Sequence, residues 1–166
     1  MTSNDQDNQL SDFRSEIEHG HADYTAEELL EQSQLNAQAL VLGIFDAVRD
    51  DPATTNRLTA GIARTFANGW DANREWAPVE ILDALLTNFR SLGGEIDDYE
   101  PEEASPSAVV VGLPDSSLVE QLGVSPLSFR PMLAVSERLV DSLGCELEWS
   151  HDATAGRIRL QVNARS

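Results

Sequence analysis

Ser142-Leu143-Gly144-Cys145-Glu146-Leu147-Glu148 lies over an earlier stretch, Ser91-Leu92-Gly93-Gly94-Glu95-Ile96-Asp97, without a gap. An amphipathic helical pattern precedes each Ser-Leu-Gly, and an apolar strand pattern follows it. Glycine at the third position suits the left-handed backbone on which helices commonly stop, where a side chain with a Cβ would cost about 1–2 kcal/mol. The repeat therefore predicts the same joint twice: a helix that ends on glycine and turns directly into a strand.

Around the second joint, Phe129, Met132, Leu133, Ser136, Val140 and Leu143 share one helical face, with Pro131 confined to the first turn because it lacks an N–H. Beyond it, Cys145, Leu147 and Trp149 alternate with Glu146, Glu148 and Ser150, and Ile158, Leu160 and Val162 alternate with Arg157, Arg159 and Gln161. That is an antiparallel hairpin with one apolar face. The simplest register pairs Trp149 with Ile158, Leu147 with Leu160 and Cys145 with Val162, sets Glu148 opposite Arg159, and leaves His151 to Gly156 as the loop. Around the first joint, Ala77-Pro78 starts a helix carrying Val79, Leu82, Leu86 and Phe89, and Glu95 to Tyr99 is a short acidic strand. Ala108 to Val111 reads as a strand covered on both faces, and Pro114-Asp115 caps a short helix through Leu122.

Upstream, Thr25 with Glu28 three residues on forms a capping box, and Tyr24 and Leu29 are placed as a hydrophobic staple. The helix they start runs to about Arg49. Its middle, Ala39 to Phe45, is apolar on every face, which predicts burial all round and a close helix neighbour at Gly43. Asp51-Pro52 caps a second helix whose Leu58, Ile62, Phe66 and Trp70 form an apolar stripe. Residues 1–24 read as an acidic, flexible tail with room for one helical turn at Leu10 to Ile17. The expected fold class is α+β: N-terminal helices, then two helix–strand–strand units forming a four-stranded antiparallel sheet covered by helices, as one domain over residues 25–163.

The chain has 166 residues, enough to bury roughly 70% of its unfolded surface in one core. It carries 29 acidic residues against 11 basic ones, a net charge of −18, and every basic residue is arginine. Such a surface repels phosphates and anionic lipid headgroups, so no direct nucleic-acid or membrane partner is expected. The lysine-free acidic composition looks like that of a salt-adapted, halophilic protein, whose self-repulsion salt screens; codon bias in an ordinary acidic protein is the alternative. No apolar run reaches the length of a membrane span, the N-terminus lacks signal-peptide features, and the single cysteine fits a reducing compartment, so a cytoplasmic location is expected.

Sites of chemistry are sparse. His19-Gly20-His21 with Asp23 resembles a metal-ligand cluster, but zinc needs four preorganised donors, or three and a water, and two histidines in a tail do not supply them. Cys145 points inward beside Glu146, the opposite of a thiolate-stabilising setting. His151 and Asp152 lack a third group to orient them, and the acidic run from Glu95 to Glu103 lacks calcium-loop spacing and suits a sheet edge kept from pairing. No metal or cofactor is expected. Phe66, Trp70, Trp76, Phe89, Phe129, Met132 and Trp149 are the candidates to line an apolar pocket between helices and sheet, with Trp70 and Trp76 at its rim. An enzyme in that pocket would draw on Glu80, Asp83 or His151.

Leu139 to Glu148 through Gly156-Arg157-Ile158 resembles the last helix and hairpin of a histidine-kinase ATP-binding domain. The Asn-bearing helix and glycine-rich lid of that domain have no counterpart here, so no ATP site is implied. The order of elements from Thr25 to Val162, with Gly69-Trp70, the Leu92-Gly93-Gly94 turn and Leu143-Gly144-Cys145, is similar to the vinyl-reductase and trafficking-particle superfamily. That resemblance implies a small apolar ligand pocket or helix-mediated dimerisation. Prokaryotic members often carry further cysteines near the C-terminus, which this chain lacks. The expected function is a non-enzymatic regulatory or sensor domain that binds an apolar small molecule or a protein partner, as a homodimer through its N-terminal helices. The alternatives are an adaptor or scaffold subunit of a larger complex and an enzyme in the same cavity.

Overall fold

A computed structural model of the protein describes residues 25–71 and 73–165. They fall into two compact units, one ending at Ser33 and the other beginning at Gln34. In the first, the start of helix α1 (Ala26–Ala47) is held by the predicted capping box. The Glu28 N–H donates to Thr25 Oγ1 at 3.2 Å, and the Thr25 N–H donates to Glu28 Oε2 at 2.7 Å. Tyr24 and the predicted tail, His19 and His21 included, lie outside the described residues.

In the second unit, the rest of α1 is followed by α2 (Pro52–Ala67) and α3 (Pro78–Ser91), then by the hairpin β1 (Glu95–Glu100) and β2 (Ser107–Val111). A short α4 (Ser116–Leu122) and a 3₁₀ turn (Pro126–Phe129) lead into α5 (Arg130–Ser142) and the second hairpin, β3 (Cys145–Asp152) and β4 (Arg157–Ala164). The sheet is wholly antiparallel in the order β1-β2-β4-β3, so the second strand of each hairpin lies at the centre. Helices α3 and α5 pack on its apolar face, and Phe89, Leu133, Leu139, Val110, Ile158 and Leu160 meet in the core between. The fold is the α+β arrangement expected.

The repeated joint is reproduced in detail. Leu92 and Leu143 end their helices at φ/ψ of −92/5 and −95/6, and Gly93 and Gly144 follow at φ +88 and +82. One difference separates the copies. A Cβ on Gly94 would lie 2.7 Å from Leu113 Cδ1 and 2.8 Å from Val110 Cγ1, whereas its counterpart Cys145 has room for a side chain. Val109 is buried although it alternates away from the core face, flanked by Asp98 and Arg159 on the neighbouring strands, as the expectation of a strand covered on both faces required.

Three local expectations are corrected. First, α1 is not buried all round: Leu35, Gln38, Leu42 and Phe45 face inward, while Leu40 and Ile44 are 64% and 42% exposed and a Cβ on Gly43 would meet nothing within 4 Å. The buried turn is set by a polar residue. Gln38 donates through Nε2 to the Leu92 carbonyl at 2.7 Å and accepts at Oε1 from the Asp115 N–H at 2.9 Å, tying α1 to the first joint and to the start of α4. Second, α2 packs on α5 through its small residues, Thr59 and Ala63, which let the axes approach, and its apolar stripe is left half-buried at Leu58 and Ile62 and exposed at Phe66.

Third, the β3–β4 register is shifted by two residues from the expected one: Trp149 pairs with Leu160, Leu147 with Val162, Cys145 with Ala164 and His151 with Ile158. Glu148 consequently faces Gln161, and Ser150 faces Arg159. A two-residue slip keeps every apolar side chain on the same face, so alternation alone could not separate the two registers. The turn decides. Asp152 Oδ1 accepts from the Thr154 and Ala155 N–H groups, both at 3.1 Å, and Gly156 takes φ +58, which closes the hairpin after His151 has joined the inner face of β3.

Candidate functional site

An open cleft of about 840 Å³ lies where the end of α1, the start of α2, the 3₁₀ turn, the first half of α5 and β3 meet. Its apolar lining is Phe45, Pro52, Leu127, Pro131, Ala134 and Trp149. Three of these are placed by local rules already visible in the chain. Pro52 stands at the start of α2 behind the Asp51 cap, whose Oδ1 accepts from the Thr54 N–H at 3.0 Å. Pro131 stands in the first turn of α5. Trp149 follows two inward strand positions, Cys145 and Leu147, but is only half-buried, its Nε1 donating to Glu137 Oε2 at 3.2 Å.

The polar lining is cationic. Arg49, Arg130 and Arg138 face one acid, Asp50. Arg49 is matched, at 3.2 Å from Asp46 Oδ1 and 3.8 Å from Asp50 Oδ2. Arg138 donates to the neutral Asn56 Oδ1, and Arg130 has no carboxylate or hydrogen-bond partner among the described residues. Asp46 also accepts from Ser128 Oγ at 2.8 Å and the Ser125 N–H at 3.2 Å. The Ser128 hydroxyl, then the Ser125 amide and Arg49, hold its pKa below the ordinary carboxylate value, so it is an anchor for the 3₁₀ turn and a poor base.

The predicted pocket residues are not gathered in one place. Only Trp149 lines the cleft. Phe89 and Phe129 are core residues, 3% and 0% exposed, and Met132 packs half-buried against the same core. Trp70 and Trp76 form an edge-to-face pair with centroids 4.6 Å apart, Arg74 lies 4.0 Å over the Trp76 ring, and Trp76 Nε1 donates to the Asp71 carbonyl at 3.1 Å, so these rings hold their own turn together. Phe66 stands on the exposed face of α2. Phe45 and the three arginines were missed because contiguous apolar patterning does not register a cleft assembled from four separate helical ends.

The acid–base candidates are also dispersed. Glu80 accepts from the Ala77 N–H at 3.1 Å, capping α3, and pairs with Arg74. Asp83 accepts from the Tyr99 hydroxyl at 2.6 Å. His151 is not in the loop as expected but buried on β3, its ring 6.2 Å from that of Phe129, with neither ring nitrogen in a well-formed hydrogen bond. Burial, then the neighbouring Arg130 charge, push its pKa below the ordinary 6.5. Burial pushes the Cys145 thiol up, as befits a small core residue. Among the described residues, no three His, Cys, Asp or Glu side chains gather to hold a metal, and no helix is long and apolar enough to cross a membrane. No known protein family, curated protein or solved structure matches the chain.

Proposed function

We propose that the protein is a regulatory or sensor module that binds a small, largely apolar molecule in the cleft between α2, α5 and β3. The observation that carries this reading is the cleft itself. Its volume is within the roughly 300–1,000 Å³ of small-molecule sites, and six apolar residues line it beside a few polar groups. The order of elements read from the sequence is in line with the ligand-binding domains of the vinyl-reductase and trafficking-particle superfamily, to which we propose only a likeness, and the lysine-free acidic surface fits work in concentrated salt. Thermal-shift measurements at high salt with a panel of hydrophobic compounds test it, together with mass analysis of material extracted from the purified protein. Stabilisation by a compound that quenches Trp149 supports the proposal. No shift with any compound, and nothing extracted, removes it.

A protein–protein role is favoured by a separate observation. Leu40 and Ile44 stand exposed on α1, a turn apart, with open space over Gly43 between them. We propose that this face pairs with a second copy of the chain. Sedimentation at high salt should give a dimer that Leu40→Glu dissociates, and a wild-type monomer at all concentrations refutes the pairing.

A further inference from the structure

We infer that the cleft is an organic-anion site, taking a compact apolar body that carries one carboxylate or sulfonate group, with Arg130 and Arg138 as the partners of that group. This rests on the small-molecule reading above and names the ligand class. Arginines are scarce here, 11 against 29 acids, yet three of them line this one cleft beside a single acid. Asp46 and Asp50 neutralise Arg49, whereas Arg138 meets only an amide oxygen and Arg130 has neither a carboxylate nor a hydrogen-bond partner among the described residues. Two guanidinium forks are thus left without counter-charge at the edge of an apolar floor. A carboxylate or a sulfonate offers the pair of oxygens that such a fork binds in two parallel hydrogen bonds. The net charge of −18 limits the occupant, because repulsion at long range grows with the charge of the approaching molecule and disfavours a polyanion. A small monoanion meets the least of that repulsion and still gains the contact with both arginines.

The test compares two probes of similar shape on the full chain in concentrated KCl: 8-anilinonaphthalene-1-sulfonate, an aromatic monoanion, and uncharged N-phenyl-1-naphthylamine. The anion should bind at least about ten-fold tighter, and the Arg130→Gln/Arg138→Gln variant should lose about that factor while its affinity for the neutral probe stays within about two-fold. Arg64→Gln/Arg159→Gln, outside the cleft, should change neither. Arg130 and Arg138 are both exposed, so unchanged circular dichroism is expected of the variant. Trp149→Ala should weaken both probes. Equal binding of the two probes, or anion binding indifferent to Arg130 and Arg138, overturns the inference and leaves an apolar small-molecule site standing. Anion binding unaffected by Trp149→Ala places the probe elsewhere and also overturns it. Binding of neither probe removes the inference and the small-molecule reading together.

Discussion

Replacing Gln38 by alanine tests the contact that fixes how α1 lies on the rest of its unit. The side chain is 2% exposed and makes two hydrogen bonds to backbone, at 2.7 and 2.9 Å, with partners 54 and 77 residues away. Removing it deletes both bonds and strands the Leu92 carbonyl and the Asp115 N–H in a partly buried space. A buried group left without its partner costs about 1–3 kcal/mol. Allowing for water entering the vacated volume, the expected loss is about 2–4 kcal/mol, which at this chain length lowers Tm by roughly 5–15 °C. Gln34→Ala is the internal control. It removes one bond, from Nε2 to the Arg90 carbonyl at 2.9 Å, from a half-buried position, and should cost about 0.5–1 kcal/mol. Urea unfolding at constant high KCl measures both, and hydrogen exchange should show the Asp115 amide losing protection in Gln38→Ala alone. A Gln38→Ala variant within about 0.5 kcal/mol of wild type, the range of ordinary surface changes, with Asp115 still protected, would refute the reasoning.

Other consequences can be measured on the same footing. His151 is buried with its pKa pushed below 6.5, so the unfolded chain takes up its proton before the folded one does. Its share of stability is complete above that pH and is lost as pH falls through it, by at most about 1.4 kcal/mol per pH unit, until the folded ring also protonates. The stability of His151→Phe should fall less than wild type between neutral and mildly acid pH, and parallel curves would refute this. Gly94→Ala drives a Cβ against Leu113, Val110 and the Phe89 carbonyl and should cost about 1–3 kcal/mol by denaturant unfolding; an unchanged midpoint would show that those contacts yield freely. Gly43→Ala enters open space in a helix and should stabilise an isolated protomer by about 0.5–1 kcal/mol; destabilisation that vanishes on dilution would mean that a second copy covers this turn.

The elements were legible because each carries a strong local signal. The Thr25–Glu28 box, Asp51-Pro52, Pro78 and the two Leu-Gly joints set most helix ends, and strict alternation marked both strands of the second hairpin. What was not legible depends on which of two equivalent choices the rest of the molecule makes. Alternation fixes a face and leaves a two-residue slip open, and the Asp152 turn chose between the registers. An apolar stripe marks what can be buried, yet α2 meets α5 through Thr59 and Ala63, because small residues allow the closer approach. Gln38 is polar and precedes the apolar stretch of α1, yet it is buried and ties the helix to Leu92 and Asp115. The cleft escaped for a similar reason: Arg49 precedes the α5 pair, Arg130 and Arg138, by 81 or more residues, and only the fold brings it to the same rim.

The central pairing of β2 with β4 carries a consequence for synthesis. As the chain leaves the ribosome, β2 emerges 46 residues before the strand it must meet, with Ala108, Val109 and Val110 in one apolar run. Until β4 arrives, one edge of β2 is a template open to any other nascent chain. Among the described residues its strand partner then is β1, whose Asp97, Asp98 and Glu100 place negative charge along the opposite edge. Like charge on the acidic first hairpin would oppose the approach of neighbouring half-made copies at the stage when the molecule has no second hairpin to close its own sheet.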